Sequence, residues 1–234
     1  MKIMTWNVQN GGAFDRLPTS QDIVINNIKA IIKEIEKNNV DILIIQEFQY
    51  RFFDQFINNG LKKMGYFYIQ YQDELKNCEA RNGVLIASKI EFIVSSNLPN
   101  ISEYSKRNWN EIVIPNNKIH ILGVDVPLPQ NDDLSERETF FKELEKYFDK
   151  YKNADVAAVV IGDLNVYEGA TLDYYKSKFD SLWHDIGSQE NTWRNHKLDY
   201  IYGNDIFFNL VKNGDDIKPI ETDYSDHAYL IVEI

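Results

Sequence analysis

Residues 156–165 read Val156-Ala157-Ala158-Val159-Val160-Ile161-Gly162-Asp163-Leu164-Asn165. An unbroken apolar row of this length suits a strand covered on both faces, because a half-exposed strand alternates apolar with polar positions. The row stops at a glycine, a carboxylate and a carboxamide. Residues 40–47 follow the same plan, with Val40-Asp41-Ile42-Leu43-Ile44-Ile45 running into Gln46-Glu47. Strand ends in a packed α/β protein converge on one rim. Polar groups carried there from distant parts of the chain can therefore build a single site.

Three further clusters sit at the ends of strand-like runs: Thr5-Trp6-Asn7, Leu198-Asp199-Tyr200 and Ser225-Asp226-His227. Carboxylates, carboxamides and one imidazole without a thiolate suit a hard divalent cation and phosphate chemistry. Taken singly, each cluster has a plain structural reading. Glu47 could be a solvated strand end, Asn7 a turn residue before Gly11-Gly12, and Asp163 with Asn165 an Asx-type turn. Ser225-Asp226-His227 could be a loop that only caps neighbouring backbone.

Between the clusters, Ile23, Ile25, Ile28, Ile31, Ile32 and Ile35 recur at helical spacing, with Thr19 or Ser20 available as a cap. A shorter helical stretch is expected around 51–64. Strands are expected at 66–71, 83–88, 92–96, 109–114 and 118–126, with Asn116-Asn117 as a hairpin turn. Helical periodicity returns over 133–151. The segments 191–193, 198–202, 206–211 and 228–234 read as strands. Strand runs interrupted by a few long helices predict an α/β fold of two packed sheets with helices outside.

The chain has 234 residues, 44% hydrophobic and 13% aromatic, enough for a sizeable core in one domain spanning 1–234. A net charge of −11 argues against gripping nucleic acid through bulk electrostatics, but not against phosphodiester chemistry at a bound cation. Cys78 is the one cysteine, so neither a disulfide-linked partner nor a thiolate metal cage is expected. No signal-peptide pattern and no run of membrane-spanning length is present, so a cytoplasmic monomer without a membrane partner is expected.

The five clusters together, in order from residue 5 to residue 227, resemble the endonuclease/exonuclease/phosphatase superfamily. Gly162-Asp163-Leu164-Asn165 and Ser225-Asp226-His227 are its most specific elements here. The resemblance implies a four-layer α/β sandwich of two mixed sheets flanked by helices. It implies Mg²⁺, with Mn²⁺ as a substitute, at Glu47 and Asp226 with Asn7 beside them. Asp163 would orient or deprotonate the attacking water, and Asn165 would donate to the phosphate. His227 would contact the phosphate with Asp199 on its other ring nitrogen. Arg107 matches a phosphate-contacting arginine of the deoxyribonuclease branch, with a solvated surface role as its alternative, and Arg81 is a weaker candidate. His120, His184 and His196 fall outside the motifs and are expected in structural or surface roles.

One position departs from the pattern. Family members usually carry histidine or tyrosine where this chain has Asp125, at the residue that protonates or stabilises the leaving oxygen. An ionised aspartate donates no proton unless burial or neighbouring carboxylates raise its pKa. The expected function is a metal-dependent nuclease acting on DNA or RNA. Its alternatives are a phosphatase or phosphodiesterase for a small soluble phosphoester, and a binding domain impaired at Asp125, whether by nature or by an introduced change.

Overall fold

The computed structural model describes residues 1–12, 21–73, 82–129, 134–166, 170–214 and 217–234. The candidates Thr19, Ser20, Cys78, Arg81 and Asp133 lie outside them. Among the described residues, eleven strands form two mixed sheets. They are β1 (Lys2–Asn7), β2 (Ile42–Gln49), β3 (Tyr68–Gln70), β4 (Asn82–Ser88), β5 (Ile93–Val94), β6 (Trp109–Ile114), β7 (Ile119–Asp125), β8 (Ala157–Asp163), β9 (His184–Asp185), β10 (Asp199–Gly203) and β11 (Leu230–Glu233). One sheet has the order β11-β1-β2-β4-β3 and the other β5-β6-β7-β8-β10-β9. The α-helices among the described residues are α1 (Gln9–Gly12), α2 (Gln21–Asn38), α3 (Glu103–Lys106), α4 (Ser135–Tyr151), α5 (Ala170–Leu182) and α6 (Asp205–Phe208).

The period-2 alternation of the strands divides their side chains among three cores. Ile3, Ile42, Ile44, Ile86, Ile121, Val159 and Ile161 meet between the two sheets. On the opposite face of the first sheet, Met4, Trp6, Leu43 and Ile45 pack with Val24, Ile28, Ile31 and Ile35 of α2. On the outer face of the second, Leu122, Val124, Ala158 and Val160 pack with Phe140, Phe141 and Phe148 of α4 and Phe179 of α5. The result is four layers, helix on sheet on sheet on helix. It explains why the runs at 40–45 and 156–161 carry almost no polar residue: both faces of each strand are covered.

Gly162 is a point where the neighbouring strand β7 and, from the other sheet, the Gln46 side chain come too close for a side chain. Its φ is +139°, and a Cβ there would lie 2.1 Å from the Val124 carbonyl oxygen and 2.8 Å from Gln46 Nε2. Gly162→Ala should therefore destabilise the protein by about 3 kcal/mol, combining overpacking with backbone strain. The check is a urea midpoint measured without added metal. An unchanged midpoint would contradict this close approach.

Several segments differ from expectation. Residues 206–211 form no strand; Asn204 instead caps α6, its side-chain oxygen accepting from Phe207 N at 3.0 Å. That cap overrides the apolar run, and Ile206, Phe208 and Leu210 stay exposed while Phe207 is buried. Residues 170–182, unassigned from sequence, are helix α5, which buries Tyr175 and Phe179 at i and i+4. The helical stretch at 51–64 breaks into three short turns, Tyr50–Phe52, Asp54–Asn58 and Leu61–Met64, the middle one a π-turn. Residues 191–193 make only isolated bridges, from Trp193 to His196 and to His227. No helix among the described residues is long and apolar enough to cross a membrane.

Candidate active site

Backbone register alone lines up three aspartates. Asp125 at the end of β7 pairs with Asp163 at the end of the parallel strand β8, and Asp163 pairs with Asp199 at the start of the antiparallel strand β10. Glu47 arrives from the other sheet by a different device. The β2–β4 register shifts between Ile45 and Phe48, and Glu47 sits in that irregularity with φ +56°. A bulge re-aims a side chain at the cost of an unfavourable backbone conformation, a trade common beside functional sites. Asn165, two residues past Asp163, also has a left-handed backbone, φ +52°.

The side chains are tied together by hydrogen bonds. Asn7 Nδ2 donates to Asp163 Oδ2 at 3.0 Å and to Glu47 Oε1 at 3.3 Å, bridging the two sheets. Its oxygen accepts from Gln9 N at 2.9 Å. Asn7 thus turns its nitrogen to the carboxylates, which suits holding them more than ligating a cation. Asp163 Oδ1 accepts from Asn165 N at 2.7 Å. One N–H of the Asn165 amide goes to the Val126 carbonyl at 2.8 Å, and Arg137 of α4 donates to the Asn165 carbonyl. His227 Nδ1 lies 2.9 Å from Asp199 Oδ2, and its Nε2 lies 3.9 Å from Asp163 Oδ2. Ser225 Oγ donates to the Asn7 carbonyl at 2.6 Å and accepts from His227 N, which fastens the 225–227 loop to the end of β1.

These groups border a cleft of about 600 Å³ lined by Glu47, Arg107, Asp125, Asp163, Asn165, Asp226 and His227. Asn7 and Asp199 do not line it; they hold residues that do. The cleft also takes in Asn82, Tyr104, Trp193 and His196, none of which the sequence singled out for the site. Only Trp193 and His196 carried a signal, their nearness to Asp199. Arg107 is 3% exposed, far from a solvated surface residue. Its guanidinium donates to the Asn82 carbonyl and side chain, lies 4.1 Å from the centre of the Tyr104 ring, and keeps an Nε without a hydrogen-bond partner.

The electrostatics follow from packing carboxylates out of water. Burial, reinforced by the Asp199 charge, raises Asp163 to about 7. Burial, then Asp163 and Glu47, push Asp125 well above the usual carboxylate range, against a smaller opposing pull from Arg107 and His227. Burial alone would lower His227, but Asp199, as charge and as hydrogen-bond acceptor, outweighs it and raises the imidazole to about 10. The site therefore holds an imidazole shifted towards its cationic form beside two carboxyls, Asp125 and Asp163, shifted towards their protonated forms.

The arrangement also fits a divalent cation. Asp226 Oδ1 and Asp199 Oδ1 are buried acceptors without a hydrogen-bond partner, and the carboxylates of Glu47, Asp163 and Asp226 line one cleft. An oxygen-rich donor set of this kind suits a hard ion.

Residues 4–227 match the model of the Endonuclease/Exonuclease/phosphatase family. The chain belongs to this family. The same sandwich occurs in an AP endonuclease from Archaeoglobus fulgidus, with TM-score 0.75, 19% identity and coverage of 100% of this chain and 99% of that one. It also occurs in the 3' phosphatase NExo from Neisseria bound to a product DNA hairpin, with TM-score 0.74, 18% identity and coverage of 100% and 99%. Likeness at that identity concerns the fold alone. Endonuclease MutS2 of Lactobacillus gasseri is 34% identical over 102 residues, a stretch covering 40% of this chain and 12% of that protein. This endonuclease/exonuclease/phosphatase chain thus matches only a small part of that curated relative.

Proposed function

We propose that this protein is a divalent-metal-dependent phosphoester hydrolase, and that its substrate is a nucleic acid. The observation that carries the reading is Asp163, buried between the Asp199–His227 pair and the Asn7–Glu47 pair, in a cleft that also holds Arg107 with no bond to its Nε. Such a site offers a base for water, a cationic imidazole and a guanidinium for phosphate oxygens, and carboxylates for a cation.

Asp163, oriented by Asn7 and Asn165, takes the proton of the attacking water. The His227 imidazolium, Arg107 and the second N–H of Asn165 contact the phosphate oxygens. Asp125, on the strand next to Asp163, is the proton source for the leaving oxygen as the phosphorus–oxygen bond breaks. Glu47 and Asp226 would hold the cation. When bound, Mg²⁺ supplies charge neutralisation at the phosphate, and Mn²⁺ substitutes for it.

The departure at Asp125 is thereby consistent with catalysis. Burial among carboxylates keeps this side chain towards its protonated form, the form a leaving-group acid needs. Asp125→Asn should preserve the folded shape and lower turnover about 10²–10⁴-fold, since it removes the transferable proton. Asp125→His should recover part of that loss. Equal turnover in Asp125→Asn and the parent would remove Asp125 from the chemistry.

Nucleic acid is favoured over a small phosphoester by the nuclease and 3' phosphatase folds that match the whole chain. The net charge of −11 favours short or single-stranded substrates over long duplexes. The test is a Mg²⁺-dependent screen over single-stranded and duplex DNA, 3'-phosphorylated DNA, RNA and p-nitrophenyl phosphate. Cleavage or dephosphorylation of an oligonucleotide is expected. Hydrolysis confined to the small ester would favour the alternative, and no hydrolysis of any substrate would overturn the reading.

A further inference from the structure

Trp193 enters the site by an unusual route. It lies in a tight backbone turn, where Thr192 N and Trp193 N both donate to the His196 carbonyl at 3.0 Å and His196 N returns to the Trp193 carbonyl at 2.8 Å. The next connection is to the site loop, with Ala228 N donating to the Thr192 carbonyl at 2.8 Å and Trp193 bridging His227. The Arg194 guanidinium lies 4.4 Å from the centre of its ring system. The indole is thus fixed from several sides, and its Nε1 donates to Asp226 Oδ2 at 2.8 Å. The other oxygen of the same carboxylate, Oδ1, is buried without a partner.

We propose that Trp193 is a positioning residue for the cation: its indole N–H engages Asp226 Oδ2 and leaves Oδ1 as the single ligand oxygen of that side chain. This rests on the reading of Asp226 as a cation ligand. An indole is a donor only, so it fixes one carboxylate oxygen without competing for the ion. Partners that orient a ligand carboxylate typically change metal affinity about 10–100-fold when removed. Tight turn, ring contacts and orphaned Oδ1 each fit this role, while a merely space-filling indole would not need its nitrogen aimed at the cleft.

The test is Mn²⁺ binding by calorimetry to the parent, Trp193→Phe, Asp226→Asn and the double variant. Trp193→Phe keeps a ring and deletes the donor, and should raise Kd about 10–100-fold. The double variant should bind no more weakly than Asp226→Asn alone. Parent-like affinity in Trp193→Phe, or additive losses in the double variant, would overturn the positioning role. Parent-like affinity in Asp226→Asn would instead overturn the ligand reading beneath it, and the inference with it.

A second measurement needs no tryptophan variant. The chain has four tryptophans, so its nitrogen-15 spectrum should show four indole N–H signals. Mg²⁺ should move chiefly one of them, the same one that Asp226→Asn moves. A protein that binds Mg²⁺ with all four signals unmoved would contradict the proposal.

Discussion

Asp163→Asn should lower phosphoester hydrolysis by about 10²–10⁴-fold, with the fold retained. Asp163 is 1% exposed and occupies the end of β8, where Asn7 and Asn165 hold both of its oxygens. An asparagine fills the same volume but cannot take a proton from water. The pH profile should carry the signature of the same group. The proposed mechanism needs Asp163 ionised with Asp125 and His227 protonated, so activity should rise with pH as Asp163 loses its proton and fall as the first of those two acids loses its own. In the protein without metal Asp163 and His227 lie at about 7 and about 10.

A bound cation favours the ionised carboxylate, so raising Mg²⁺ should move the lower limb to lower pH. Stability is linked in the same sense. Asp163 is raised above its unfolded value of 3.8 and His227 above 6.5. Each therefore contributes stability that is complete below its unfolded value and lost as pH rises through its folded value. The metal-free protein should lose the Asp163 contribution on the way to about pH 7. The gain in Tm on adding Mg²⁺ should accordingly grow between about pH 5 and pH 8. A gain independent of pH would separate the cation from Asp163.

Most of the side chains proposed for catalysis stand out in the sequence because burial on both faces leaves strands such as 156–161 almost free of polar residues. A carboxylate at the end of such a run, as at Asp163, stands out. Asp125 was legible as a departure from the family pattern. Its raised pKa was not, because that depends on burial, on Asp163 from the neighbouring strand and on Glu47 from the other sheet. The bulge that aims Glu47 left no trace in residue type, since glycine is the usual occupant of such a backbone and glutamate stands there instead. Asn82, Tyr104 and Trp193 come from a strand start, a short helix and a turn, where no periodicity marks them. Helix α6 was misread because one cap, Asn204, outweighed a strand-like composition.

Glu47→Ala carries the other large effect. Glu47 lines the cleft and accepts from Asn7, while Asp226 approaches from the 225–227 loop with an open oxygen. Removing Glu47 takes away one of the two side chains proposed to hold the cation. Lewis-acid stabilisation is worth several kcal/mol, and about 1.4 kcal/mol is a factor of ten. The loss at fixed Mg²⁺ should be on the order of 10³-fold or more. The Asn7–Asp163 bond remains available in that variant, so the metal-free protein should melt near the parent temperature.

The most direct measurement is therefore the initial rate of oligonucleotide hydrolysis against Mg²⁺ concentration, for the parent and Glu47→Ala, starting from EDTA-treated protein. The account predicts no turnover without metal, saturable activation of the parent, and little activation of Glu47→Ala over the same range. Full hydrolysis in EDTA, or a Glu47→Ala curve that overlays the parent's, would contradict it.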